Sequence, residues 1–260
     1  MKKLLTASLL AATIVASASA GDKLFEFGGG YINDSLTGGA NVSNYLAKTI
    51  YSYDTNDEID SGRAYFYAEL EVDFPIVPNF RIEYSNPSYK SGNVPMVLND
   101  RATGYVQNVN GFYDIDFKEY DMFLYYDFFS VFDNKNVSFD LGIGGKYLDS
   151  FVAIYDKSNS RDIYNNNSSD FVPLVYVNPS ISTGGFVFDF TYEFIDFEGD
   201  KIAEYTIGAK YFFETSIGDI GVEVGYYNNS LESSSDSNLF DGMELDIKRD
   251  GYFAGMAYKW

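Results

Sequence analysis

The chain reads as an all-β protein, a transmembrane, antiparallel, up-and-down β-barrel of about ten strands. Three observations carry that expectation. Apolar residues recur at every second position over most of the length, short connections alternate with long ones, and an aromatic fraction of 18% accompanies an ordinary hydrophobic fraction of 46%. A period of two marks a strand, because successive side chains point to opposite faces. Many aromatics without many long aliphatics suit a wall that faces lipid and carries a ring of aromatics at each interface.

Met1-Lys2-Lys3 is a positive start, Leu4 to Ala16 an apolar run, and Ala18-Ser19-Ala20 a small-x-small cleavage pattern. Residues 1–20 therefore read as a signal peptide cut after Ala20, and residues 21–260 as one barrel domain. The apolar run falls short of the ~20 residues a membrane helix needs. No later run reaches that length, so membrane residence has to be as a closed barrel.

From Lys23 to Ile32 a first strand sets Phe25, Phe27 and Tyr31 against Glu26. Asn33 to Asp60 is polar and reads as a long loop. Its acidic run Asp54 to Asp60 lacks the glycine and terminal-glutamate spacing of a calcium loop. Ala64, Phe66, Ala68, Leu70, Val72 and Phe74 then alternate with Arg63, Tyr65, Tyr67, Glu69, Glu71 and Asp73. The tight Pro75-Ile76-Val77-Pro78 leads into Phe80, Ile82 and Tyr84, set against Arg81 and Glu83. Lys90 to Asn110 reads as a second long loop.

Tyr120, Met122, Leu124, Tyr126 and Phe128 oppose Glu119, Asp121 and Asp127. After a modest turn at Ser130 to Asn136, Val137, Phe139, Leu141, Ile143 and Tyr147 oppose Asp140, Gly142, Gly144 and Lys146. Ser150 to Asp170 reads as a third long loop. The sixth segment holds Pro173 and Pro179, which cannot donate to a ladder. If that segment is irregular, the count falls to eight strands.

Beyond the tight Ser182-Thr183-Gly184-Gly185, Phe186, Phe188, Phe190 and Tyr192 oppose Asp189, Thr191 and Glu193. Ala203, Tyr205, Ile207, Ala209, Tyr211 and Phe213 oppose Glu204, Thr206, Gly208 and Lys210; Ile220, Val222, Val224 and Tyr226 oppose Glu223. Leu231 to Met243 reads as a polar loop. In the last strand Tyr252, Ala254, Met256, Tyr258 and Trp260 share one parity, against Gly251, Phe253, Gly255, Ala257 and Lys259. Apart from a compact loop at Asp196 to Asp200, the rhythm is that of short periplasmic turns and long extracellular loops.

If the apolar parities meet lipid, the opposite ones line the lumen. That interior set is Arg63, Glu69, Glu71, Arg81, Glu83, Glu119, Asp121, Asp140, Lys146, Asp189, Glu193, Glu204, Lys210 and Glu223. Such charges pair across strands in a filled barrel, or they line a narrow, cation-favouring path. Barrels of about eight strands are filled by side chains and open channels need roughly 16 to 18, so ten lies near the filled end.

The chain contains neither histidine nor cysteine. Nucleophiles activated by a histidine base, thiol chemistry and cysteine-held metals are absent with them, so no catalytic residue, cofactor or metal site is assigned. A net charge of −20, from 38 acidic and 18 basic residues, lacks the basic footprint of a nucleic-acid binder. Acidic loops leave divalent cations, bridging to lipid headgroups, as candidate partners.

Four stretches resemble a group of small proteobacterial outer-membrane β-barrel proteins of unassigned function. They are Pro75 to Tyr84, Leu124-Tyr125-Tyr126-Asp127, Asp140 to Asp149, and Tyr252 to Trp260. The resemblance implies residence in the bacterial outer membrane after export through the periplasm, contact with outer-membrane lipid, and insertion by the outer-membrane assembly machinery. That machinery would read Tyr252, Met256, Tyr258 and Trp260, although the terminal Trp departs from the usual Phe. No reaction is implied. The resulting expectation is a monomer with a structural or surface-interaction role, with a small diffusion pore and an adhesin acting through the long loops as alternatives.

Overall fold

A computed structural model describes residues 23–44, 49–72, 76–100, 105–128, 136–156, 161–197, 199–234 and 244–260. The expected signal peptide and its cleavage residues Ala18 and Ala20 lie outside the described residues. Eleven strands follow one another: β1 (Lys23–Asn44), β2 (Thr49–Val72), β3 (Asn79–Ser85), β4 (Ser88–Asp100), β5 (Tyr105–Asp127), β6 (Val137–Asp156), β7 (Arg161–Thr183), β8 (Phe186–Phe197), β9 (Asp200–Thr215), β10 (Gly218–Ser233) and β11 (Glu244–Lys259).

Each strand pairs antiparallel with its neighbours, and β1 pairs with both β2 and β11, so the sheet closes. β3 and β4 are two halves of one stave, because both lie between β2 and β5. Only Asn86-Pro87 separates them, anchored where the Phe117 amide donates to the Pro87 carbonyl at 2.8 Å. The barrel therefore has ten staves. Reciprocal hydrogen bonds between Phe25 and Trp260, at 2.9 and 2.8 Å, fasten the two ends of the chain together.

The proline-bearing segment is a complete strand. β7 pairs with β6 through both prolines, Pro179 opposite Phe139 and Pro173 opposite Gly145. What the prolines cost is paid on the other side, where β8 meets β7 only at Val175–Val177 and at Ser180–Thr183. At that break the Asn178 amide donates to the Thr191 hydroxyl at 2.7 Å, a side-chain substitute for the missing ladder bonds. The eight-strand alternative falls away.

The three long loops are corrected more deeply. β1, β2, β5 and β7 run 22 to 24 residues, whereas a bilayer crossing takes about 9–11. Most of each polar excursion is paired strand climbing above the membrane. The acidic run is part of β2, with Asp60 opposite Ser35 and Asp54 opposite Gly39. A bulge between Leu36 and Gly38 reconciles the register, and Gly38 takes a φ of 118° there, which only glycine adopts without strain. The expected loop at Leu231 to Met243 is strand as far as Ser233, and residues 235–243 lie outside the described set.

The low side of the barrel is β8 to β11, with strands of 12 to 16 residues. At its periplasmic end β7 turns into β8 through Gly184 and Gly185, with φ of 57° and 85°. Two consecutive positive φ values make the hairpin turn that matches strand twist.

The outer face carries the expected lipid-facing residues, with Ile143 71% and Tyr252 72% exposed. Tyr84, Tyr120 and Tyr147 form one ring row at centroid spacings of 4.9 and 6.2 Å, continued by Tyr205, Tyr226 and Tyr252. Phe27 with Tyr258, and Phe186 with Tyr211 and Phe213, form the row near the periplasmic turns. A closed barrel, apolar outside between two aromatic girdles and charged inside, is a protein of the bacterial outer membrane. Among the described residues no helix is long and apolar enough to cross a membrane.

Candidate functional site

The lumen is where the charged residues converge. All fourteen interior residues named from the sequence are buried or half-buried. Each stave carries them on one parity, so the pleat stacks them in layers from the periplasmic end upward.

Near the periplasmic end Arg81 holds Glu69 at 3.0 Å and Glu83 at 2.6 Å, and its guanidinium lies 4.9 Å from the Tyr67 ring centre. The Tyr125 hydroxyl donates to Glu69 from β5. Asp140 accepts from Ser138 at 2.8 Å, and Glu71 stands half-buried at the base. Lys210 on β9 reaches over to Glu26 on β1 at 2.7 Å and lies 3.9 Å from Glu223. Tyr65 and Tyr67 on β2 both donate to Glu223 on β10, at 2.5 and 3.1 Å. Glycine at 28 gives Tyr67 its space, since a Cβ there would come within 2.6 Å of the ring.

Higher up, Lys146 on β6 bonds Asp121 at 2.9 Å and spans to Glu204 on β9 at 3.1 Å. Glu204 also accepts from Asn229 at 2.8 Å and from Tyr227 at 3.4 Å. Arg249 on β11 crosses to Glu119 on β5 at 2.7 Å. Arg63 pairs with Asp34 at 3.1 Å, and Tyr89 donates to the same carboxylate at 2.9 Å.

Several of these partners are absent from the set read off the sequence: Asp34, Arg249, Tyr89 and the buried aromatics Phe123, Tyr125 and Tyr176. Arg249 shares parity with Gly251 and Phe253, and Asp34 shares it with Glu26 and Ile32. Extending each strand past its apolar end would have found both. Lys146, Lys210 and Arg249 reach carboxylates on non-adjacent strands and so span the lumen, whereas Arg81 holds Glu83 on its own strand and Glu69 directly opposite it on β2.

Above this layer the interior turns apolar. Leu36, Ile115, Phe117, Leu148, Val152, Ile202, Leu231, Leu245 and Ile247 pack into one buried cluster. Opposite parities on the same stretches carry exposed Lys118, Lys201, Glu232, Asp246 and Lys248. This upper section is built like a soluble protein, dry inside and wet outside.

No protein-family model and no curated relative matches the chain. Among solved structures it is similar to the outer membrane protease OmpT of Escherichia coli, at 11% identity and a TM-score of 0.45 over 93% of this chain and 98% of that one. It is similar to the Neisserial surface protein A at 10% identity and a TM-score of 0.37, covering 91% and 97%. It is also similar to Ail, the attachment invasion locus protein of Yersinia pestis, at 9% identity and a TM-score of 0.35, covering 92% and 99%. At such values the matches say nothing of activity. The barrel stands on its own strand pairing.

Proposed function

We propose that the chain is a monomeric outer-membrane barrel with a closed lumen, whose role is structural or surface-interactive and whose working part is the tall extracellular wall. It is expected to be exported by a signal peptide in residues 1–20 and inserted by machinery that reads Tyr252, Met256, Tyr258 and Trp260. The observation that carries the closed lumen is its double obstruction. Ion pairs from Lys146, Lys210 and Arg249 cross the membrane section, and the apolar cluster around Leu36 and Ile247 fills the section above. No histidine stands beside any of these groups to serve as a base, which supports a role without catalysis.

Two measurements test the reading. Purified protein in planar bilayers is expected to be silent; discrete conductance steps, altered by Glu69→Gln or Glu83→Gln, would establish the pore instead. Removing residues 38–55 from the β1–β2 hairpin is expected to leave heat-modifiable gel mobility intact and to abolish attachment of expressing cells to surfaces. Unchanged attachment would refute the role assigned to the wall.

A further inference from the structure

The charged layer contains a cavity of about 80 Å³ bordered by Asp121, Asp189, Glu193, Glu204, Glu223 and Arg81, among others. One water takes up about 10–15 Å³ by the same measure, so the chamber has room for about six.

Its charges do not balance. Lys146 is shared between Asp121 and Glu204, Lys210 faces Glu26 and Glu223, and Arg81 holds Glu69 and Glu83. Arg63 and Arg249 are taken by Asp34 and Glu119. Among the described residues no ion pair reaches Glu193, which is only 3% exposed. Register makes matters worse, because Glu193 on β8 lies directly opposite Glu204 on β9. Glu193 Oε2 and Asp121 Oδ1 have no protein hydrogen-bond partner among the described residues, and both carboxylates border the chamber. Asp121 has Lys146 as its counter-ion, whereas Glu193 is, among the described residues, a buried carboxylate without one, and such a charge is strongly destabilising.

We propose that the chamber binds one hydrated divalent cation of the magnesium class, held through its water between Glu193 and Asp121. A magnesium-like ion suits the chamber, since it gives up water reluctantly and keeps several waters beside the one or two carboxylates that hold it. Among the described residues no three acidic groups converge closely enough to replace that water. Asp189 Oδ1, also on the chamber wall, is a third carboxylate oxygen without a protein hydrogen-bond partner among the described residues, and the space is about that of a hydration shell. The ion is sealed in as the barrel closes under its apolar cap.

The test is refolding into detergent micelles with chelator, magnesium chloride, or sodium chloride at matched ionic strength. Folded yield is read from gel mobility, and bound magnesium by elemental analysis after gel filtration. For the parent chain, yield should rise saturably with magnesium alone, with about one ion retained per chain. Glu193→Gln should fold equally well with or without chelator and retain at least five-fold less magnesium. Glu193→Lys, which builds a cation into the chamber, should likewise fold without magnesium. Equal yields in sodium and magnesium would overturn the site, as would magnesium retained in Glu193→Gln or failure of both variants to fold in chelator. The closed-lumen reading would survive any of those results, because it rests on the ion pairs of Lys146, Lys210 and Arg249 and on the apolar cluster, none of which includes Glu193.

Discussion

Within β11 two stretches obey opposite rules. From Tyr252 to Trp260 the outward parity is apolar and the inward one small or polar except at Phe253; from Glu244 to Arg249 the outward residues Glu244, Asp246 and Lys248 are exposed, while Leu245 and Ile247 are buried. The pleat never changes phase, only the solvent does. Below the girdle of Tyr84, Tyr120, Tyr147, Tyr226 and Tyr252 the outside is lipid and the inside holds polar groups. Above it the outside is water and the inside is an ordinary hydrophobic core. One continuous ladder thus serves two media, and burial inside the barrel means charge pairing beside stacked aromatics such as Phe123 and Tyr176 in the lower section and mainly apolar packing in the upper one.

The comparison can be broken most severely at the ion pairs. Arg249→Met leaves Glu119 buried without its cation, and should cost about 3–5 kcal/mol in urea unfolding from bilayers. Leu36→Ala, at a fully buried position of the upper core, should cost about 2–5 kcal/mol, an amount expected of a soluble protein's interior. A lysine scan along the outward parity of β11 locates the boundary. Ala254→Lys should cost about 2–4 kcal/mol on the lipid face, whereas Asp246→Lys should stay within about 0.5 kcal/mol. Equal costs at the two sites would place the boundary elsewhere.

The smallest effect concerns the outermost surface. Lys90 lies 2.9 Å from Asp114 above the girdle, and that hydrogen bond raises its pKa above the ordinary 10.5. A raised lysine contributes its stability below pH 10.5 and loses it as pH climbs through the folded value. Parent and Lys90→Ala proteins should therefore differ only slightly in melting temperature at pH 8 and converge at higher pH. The pair is solvent-exposed, so even the first difference is small.

The lipid-facing parity was legible because lipid permits almost nothing polar on that face. Ala64 to Val72 and Phe186 to Tyr192 show unbroken alternation, and each lies on the strand it announces, β2 and β8. The upper strands were illegible for a matching reason. Water outside admits Ser, Asn and Asp, so stretches such as Asn33 to Asp60 lose contrast although their backbone is still paired. Proline misled in the other direction, since Pro179 costs only ladder bonds toward β8 and β6 holds the strand in place. Within the lumen, parity named most of the charges but not their partners. Lys146 meeting Glu204 across two intervening staves, and Arg249 meeting Glu119 from the far side of the barrel, depend on closure that no local pattern encodes.

The pair of Arg249 and Glu119 also bears on assembly. Arg249 is on the strand that closes the sheet against β1, and Glu119 waits on β5. Until β11 meets β1, Arg249 on the edge strand and Glu119 in the middle of the sheet lack each other, and neither tolerates a nonpolar surrounding. Zippering and neutralisation are thus a single event. A β11 paired out of register would leave both charges buried without a partner, so this one pair favours the native register of the closing strand.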